Sequence, residues 1–183
     1  MLKNKNIVIG MSGGIACYKV CEIISYLKRE GANIEVIMTK NATEFITPLT
    51  IETLTKNKVI INMFDNKEHT EVEHIRLAQK ADIFLIVPAT ANIIGKVANG
   101  IADDMLTTTI IATKKKVVFA PAMNNQMYEN EIVQENISKL KKHGYEFIEP
   151  QEGNLACGYK AKGKLAKTEL IIEFLKNKGV KKC

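Results

Sequence analysis

The chain has 183 residues, 46 % hydrophobic and 25 % charged, with a formal net charge of +6. That suits one globular domain with a sizeable core, and no apolar run approaches the length that spans a bilayer. Cys17, Cys21, Cys157 and Cys183 form no CxxC pair, which excludes a disulfide scaffold and a thiolate metal centre. His69 and His74 lack partners at ligand spacing, so no metal is expected. Lys114-Lys115-Lys116 and the lysines from Lys176 to Lys182 carry no interleaved aromatic platform. They read as solvated surface, not a nucleic-acid site, and their field would help gather phosphorylated small ligands.

From Lys3 and Lys5 the chain runs directly into Ile7-Val8-Ile9-Gly10, a first strand too brief for a signal peptide. A cytoplasmic protein of a single domain, 1–183, is expected. Met11-Ser12-Gly13-Gly14 then turns into a helix from Ile15 to Arg29. Glycines here let backbone N–H groups approach a phosphate at the helix start. The spacing is neither a dinucleotide fingerprint nor a Walker loop, so a phosphate turn and a tight strand–helix turn both remain open.

Gly31 ends that helix and Ile34 to Met38 form strand two, followed by Thr39-Lys40-Asn41 at a second strand end. Asn41 caps a short helix through Phe45, and Leu49 to Leu54 form another. Val59-Ile60-Ile61 reads as a strand outside the main order. His74 opens a short helix, free to be a surface histidine or a base at a cleft. Ile83 to Val87 is a buried strand closed by Pro88. The segment from Pro88 through Thr90, Asn92 and Gly95 to Asp104 is dominated by small residues, so its helix can approach a neighbour or a flat ligand. Met105 to Ala112 reads as a helix buried wholly or against another subunit.

Val117 to Ala120 is the next buried strand, and Pro121 ends it. In Pro121-Ala122-Met123-Asn124-Asn125-Gln126-Met127-Tyr128, Asn124 or Asn125 caps a helix through Ile132, Val133, Ile137 and Leu140. Ligands of open α/β sheets bind beyond the strand carboxyl ends. An amide there both donates and accepts, which suits it to a carboxylate. Tyr145 to Ile148 is a last short strand, Gln151 to Gly163 a glycine-rich mobile loop, and Thr168 caps a final helix, Glu169 to Lys176. Alternating strands and helices predict a three-layer α/β/α, flavodoxin-like parallel sheet.

Four of these stretches, in this order, resemble the homo-oligomeric flavin-containing cysteine decarboxylases over nearly the whole chain. They are Gly10 to Lys19, Phe45 to Thr50, Pro88 to Asp104, and Pro121 to Tyr128. In the last, Tyr128 replaces the usual tryptophan of PxMNxxMW. Leu155-Ala156-Cys157-Gly158 resembles a substrate-clamp motif, with Tyr159 in place of the commoner Asp and Lys167 where an acid is frequent.

The resemblance implies FMN held by Gly13, Gly14, Ile15, Thr39, Lys40, Asn41, Thr90, Ala91, Asn92, Ile93 and Ala122. It implies active-site roles for His74, Asn124 and Cys157. Asn124 holds the substrate carboxylate, His74 moves a proton or orients the cysteine moiety, and Cys157 delivers a late proton. The implied reaction is decarboxylation of 4′-phosphopantothenoylcysteine to 4′-phosphopantetheine in coenzyme A biosynthesis. Decarboxylation of a peptide's C-terminal cysteine and a non-catalytic flavin-binding subunit are the alternatives. Ile93–Ala98 and Met105–Ala112 offer more apolar surface than one small sheet covers, so self-association is expected, and the resemblance implies a trimer or dodecamer of trimers. The substrate would come from a separate synthetase.

Overall fold

The computed structural model describes residues 2–64, 72–154 and 160–179. The first half holds β1 (Asn6–Met11), α1 (Cys17–Arg29), β2 (Asn33–Met38), α2 (Lys40–Thr43), α3 (Pro48–Thr55) and α4 (Glu73–Lys80). Next come β3 (Ile83–Ala89), α5 (Ala91–Ala98), α6 (Met105–Ala112), β4 (Lys116–Pro121), α7 (Asn125–Glu129) and α8 (Glu131–Lys142). The chain then forms β5 (Glu146–Phe147), β6 (Gln151–Asn154), β7 (Lys160–Lys164) and α9 (Thr168–Gly179).

Five strands pair in parallel in the order β2-β1-β3-β4-β5, the flavodoxin-like arrangement. Period-two alternation sends successive side chains to opposite faces. Ile7, Ile9, Leu85, Val87, Val118 and Ala120 enter one core with α1 and α9. Val8, Phe84, Ile86, Val117 and Phe119 enter another with α5, α6 and α8. Both faces are covered, which explains why the central strands read as near-continuous apolar runs. Phe119 stacks on Phe147 at 5.1 Å and meets Tyr145 edge-on at 5.9 Å, tying β5 to the sheet.

Several expectations are corrected. Strand β3 does not stop before Pro88 but runs through it to Ala89, with a cis Val87–Pro88 bond. Thr39, not Asn41, caps α2. Ile60 makes a single parallel bridge to Ile37, so the stretch around it is not a full strand. The helix after Pro121 is two helices, because Asn130 accepts from Ile132 N–H at 3.0 Å and starts a second. The glycine-rich segment is not a loop throughout: β6 and β7 form an antiparallel ladder. The apolar surface of Ile93–Ala98 and Met105–Ala112 is also mostly not left over for a second subunit. Ile93, Ile94, Val97, Met105, Leu106 and Ile110 are buried within the chain itself. Of the two segments only Ile111 is a large exposed apolar side chain; others that are exposed include Ile15, Tyr18, Leu49 and Phe64.

Glu35 lies on the helix-covered face of edge strand β2, where an unpaired carboxylate would be costly. Arg76 of α4 grips it with two hydrogen bonds, at 2.7 and 3.2 Å, and also holds Glu73, while Lys80 adds a further bond. Burial raises the Glu35 pKa, but the Arg76 and Lys80 bonds outweigh it and the net shift is downward. This cluster fastens α4, which carries His74, to the sheet.

Candidate active site

Because the main strands are parallel, β1, β2, β3 and β4 all deliver their turns to one edge of the sheet. The order reverses at β1, which has β2 on one side and β3 on the other, and such a reversal opens a crevice. Ser12 closes its floor. Its hydroxyl donates to Pro88 O at 2.7 Å and accepts from Thr90 N–H at 3.1 Å, joining the β1 and β3 turns. Behind it, Cys17 Sγ lies 3.3 Å from Ser12 O, and burial pushes this thiol's pKa up, as expected of a packing residue.

Space explains Gly13. A Cβ there would stand 2.5 Å from Asn41 Cβ and 2.9 Å from the Asn41 backbone, so only glycine lets these two turns touch. Gly14 differs, since its Cβ would meet only ordinary contacts, the nearest being Thr90 Cγ2 at 3.7 Å.

A cavity of about 1020 Å³ opens above these turns, at the upper end of the usual range for ligand pockets. It has room for a cofactor and a substrate together. Three helix starts point toward it. Thr39 Oγ1 accepts from Ala42 N–H at 3.2 Å, Thr90 Oγ1 from Ile93 N–H at 3.5 Å, and Asn124 Oδ1 from Gln126 N–H at 2.8 Å. Helix starts favour anions. Lys19, Lys40, Lys96 and Lys164 line the cavity, against one lining acid among the described residues, Asp104. Lys96 is itself committed, with both Asp103 oxygens at 2.8 Å, and that pair raises its pKa. Asp104 caps α6 through Thr107 N–H at 2.8 Å.

Of the residues named from sequence, Gly13, Gly14, Ile15, Thr39, Lys40, Asn41, Thr90, Asn92, Ala122 and Asn124 line this one cavity. Ala91 does not, and the Ile93 side chain is in the core. His74 does not reach the cavity either. It sits in the first turn of α4, and its Nδ1 is buried without a hydrogen-bond partner among the described residues. Cys157 and its motif lie outside the described residues. Sequence reasoning missed Phe64, Met105, Met127 and Lys164 as lining residues. It also missed the seam where Met123 N–H donates to Gly163 O at 3.0 Å, setting β7 beside Asn124. The alternation Lys160-Ala161-Lys162-Gly163-Lys164 was the available signal for that strand.

No cluster of three or more His, Cys, Asp or Glu side chains among the described residues could hold a metal. No described helix is long and apolar enough to cross a membrane.

Residues 1–179 match a protein family described as Flavoprotein. A bifunctional coenzyme A biosynthesis protein, CoaBC, of Borreliella burgdorferi is 54 % identical over 177 residues, covering 97 % of this chain but 45 % of that protein. The chain thus spans less than half of that relative. A probable phosphopantothenoylcysteine decarboxylase of Streptococcus mutans is 43 % identical over 171 residues, covering 92 % of this chain and 96 % of the relative. Among solved structures, the FMN-dependent cysteine decarboxylase SpaF superposes with a TM-score of 0.86 at 31 % identity, covering 98 % of this chain and 100 % of its own. A mutant PPC decarboxylase complexed with pantothenoylaminoethenethiol gives 0.85 at 28 % identity, covering 96 % and 98 %.

Proposed function

Because the chain belongs to the flavoprotein family, we propose that it is an FMN-dependent decarboxylase of 4′-phosphopantothenoylcysteine. It releases carbon dioxide and leaves 4′-phosphopantetheine for coenzyme A biosynthesis. The observation that carries this reading is the convergence of Ser12-Gly13-Gly14, Thr39, Thr90 and Asn124 on one lysine-lined cavity. The names of the curated relatives support the substrate.

The residues present fit FMN. The tight Gly13 turn and the starts of α2 and α5 offer backbone N–H groups and hydroxyls to a phosphate, while Met38, Met105 and Leu106 offer apolar surface to a flat ring. Bound FMN would supply reversible two-electron oxidation of the substrate's cysteine thiol. The protein's own part is positioning. The Asn124 side chain stands at the end of β4, where its amide N–H donates to the substrate carboxylate while Oδ1 stays committed to the helix. Cys157 is assigned, from its sequence motif, the late proton transfer to carbon. The substrate reaches this site from a phosphopantothenoylcysteine synthetase. Holoprotein offered both phosphopantothenoylcysteine and a peptide ending in cysteine should convert only the first, read by product mass; conversion of the peptide alone would move the assignment to peptide processing.

The position of His74 bears on assembly. A histidine that serves this chemistry from outside its own chain's cavity must serve a neighbour's. The exposed Ile15, Tyr18 and Phe64 on the cavity rim supply apolar surface for such a contact. We therefore propose a homo-oligomer with sites completed between subunits, for which the family resemblance implies a trimeric unit. His74→Ala and Asn124→Asp variants, each inactive alone, should regain activity when mixed under conditions that exchange subunits. Mixtures that stay inactive would place His74 within its own subunit's site, and an active His74→Ala would place it outside the chemistry.

A further inference from the structure

The turn that carries Asn124 is fastened to β7 with no slack. Met123 N–H donates to Gly163 O at 3.0 Å. Gly163 has φ +149°, and a Cβ there would stand 2.4 Å from the Met123 carbonyl oxygen. The next residue, Lys164, lines the cavity. The ladder with β6 is one hold on β7, and side chains supply another.

One carboxylate ties the pieces together. Glu149, in the link between β5 and β6, receives the Tyr128 hydroxyl at 2.8 Å, Lys141 Nζ at 3.0 Å and Lys162 Nζ at 3.3 Å. Those donors come from α7, α8 and β7 respectively. Lys162 Nζ also lies 5.4 Å from the centre of the Tyr128 ring, within cation–π range. Burial raises the Glu149 pKa, but the bonds from Lys141, Tyr128 and Lys162 overcome it and hold the carboxyl at about 2. The group stays charged throughout the working pH range. Tyr128 occupies the place where the flavin-containing cysteine decarboxylases carry tryptophan, and an indole N–H in that place would present different donor geometry to a carboxylate.

We propose that Glu149 is a positioning residue, whose carboxylate locks β7 to α7 so that Gly163 and Lys164 stay seated against the Asn124 turn. This rests on the reading of Asn124 as the substrate-holding amide. Half-exposed ion pairs contribute little to global stability, yet a carboxylate shared by three elements fixes their relative placement. Loss of Glu149 should loosen the seam while leaving the fold in place.

The test compares Glu149→Gln, Lys162→Met and the double variant as holoprotein. Two readouts are needed: hydrogen exchange at the Met123 amide, and steady-state kinetics with phosphopantothenoylcysteine. Each single variant should speed Met123 exchange about 10-fold, a local opening and not global unfolding. It should raise KM about 5-fold with kcat changed less than about 2-fold, the pattern of lost substrate placement. The double variant should be no worse than the poorer single, because both act through one contact. Tyr128→Phe, which removes one donor and no charge, should fall between wild type and Glu149→Gln. Unchanged Met123 exchange in Glu149→Gln, or additive effects in the double variant, would overturn the proposal. If exchange behaves as described but the wild type does not turn over phosphopantothenoylcysteine, the functional reading fails and the positioning role stands.

Discussion

Replacing Asn124 by Asp should reduce decarboxylation at least ~100-fold, the scale on which a single well-placed donor matters at a reacting centre, while the protein stays folded and yellow. One side chain has two separable jobs here. Asn124 Oδ1 accepts from Gln126 N–H at 2.8 Å, capping α7. Aspartate performs that task equally well, and its charge suits a helix start. The other half of the amide differs in kind. An Asn donates N–H to a carboxylate, whereas Asp offers only acceptors and a like charge. Activity assays, flavin absorbance and thermal unfolding on the same preparation decide the matter. Near-normal turnover would reduce Asn124 to a helix cap. Loss of flavin or of fold would mean that the cap, not the donor, dominates.

Replacing Gly13 by Ala should weaken FMN binding by about 10- to 100-fold, since misplacement of a binding group by about 1 Å can cost that much. Its new Cβ would lie 2.5 Å from Asn41 Cβ and 2.9 Å from the Asn41 carbonyl carbon and oxygen. Backbone is on the other side of the contact, so a side-chain rotation cannot relieve it. The β1 and β2 turns must separate, and overpacking of this kind costs about 1–3 kcal/mol. Gly14→Ala is the internal control, because its Cβ would meet Thr90 Cγ2 at a comfortable 3.7 Å. Apoprotein stability should therefore fall for Gly13→Ala and hold for Gly14→Ala. Flavin titration by fluorescence quenching and apoprotein melting separate the two effects. Equal, wild-type-like behaviour of both variants would contradict the account of the turn.

Most of the sheet was legible in the sequence for a physical reason. Strands buried on both faces must be apolar almost throughout, so Ile7–Gly10, Ile83–Val87 and Val117–Ala120 announce themselves. The turns that follow were equally readable, since a cavity at strand ends needs glycine, hydroxyl and amide residues there. What failed was whatever depends on non-local partners. Pro88 reads as a strand terminator, yet β3 keeps its place beside β4 as far as an Ala89–Pro121 pairing. The stretch from Gln151 to Gly163 looks like a glycine-rich loop because β7 gains its register from β6 and from Met123, neither of which is local. Ile93 to Ala98 looks like surplus apolar surface until α6 and α8 cover it. His74 illustrates the limit most clearly. Its neighbours in sequence carry the resemblance, but only the fold shows that it does not line its own chain's cavity.

The most direct test of the central claim is an anaerobic single turnover of FMN-loaded protein with phosphopantothenoylcysteine, following carbon dioxide, thiol product and flavin absorbance together. Each mole of substrate should yield one mole of carbon dioxide and one of saturated 4′-phosphopantetheine, with the flavin ending in the oxidised state in which it began. Cys157→Ser should release the carbon dioxide but halt at the unsaturated thiol. Absence of carbon dioxide from protein shown to hold FMN, or release that proceeds equally in flavin-free protein, would contradict the account.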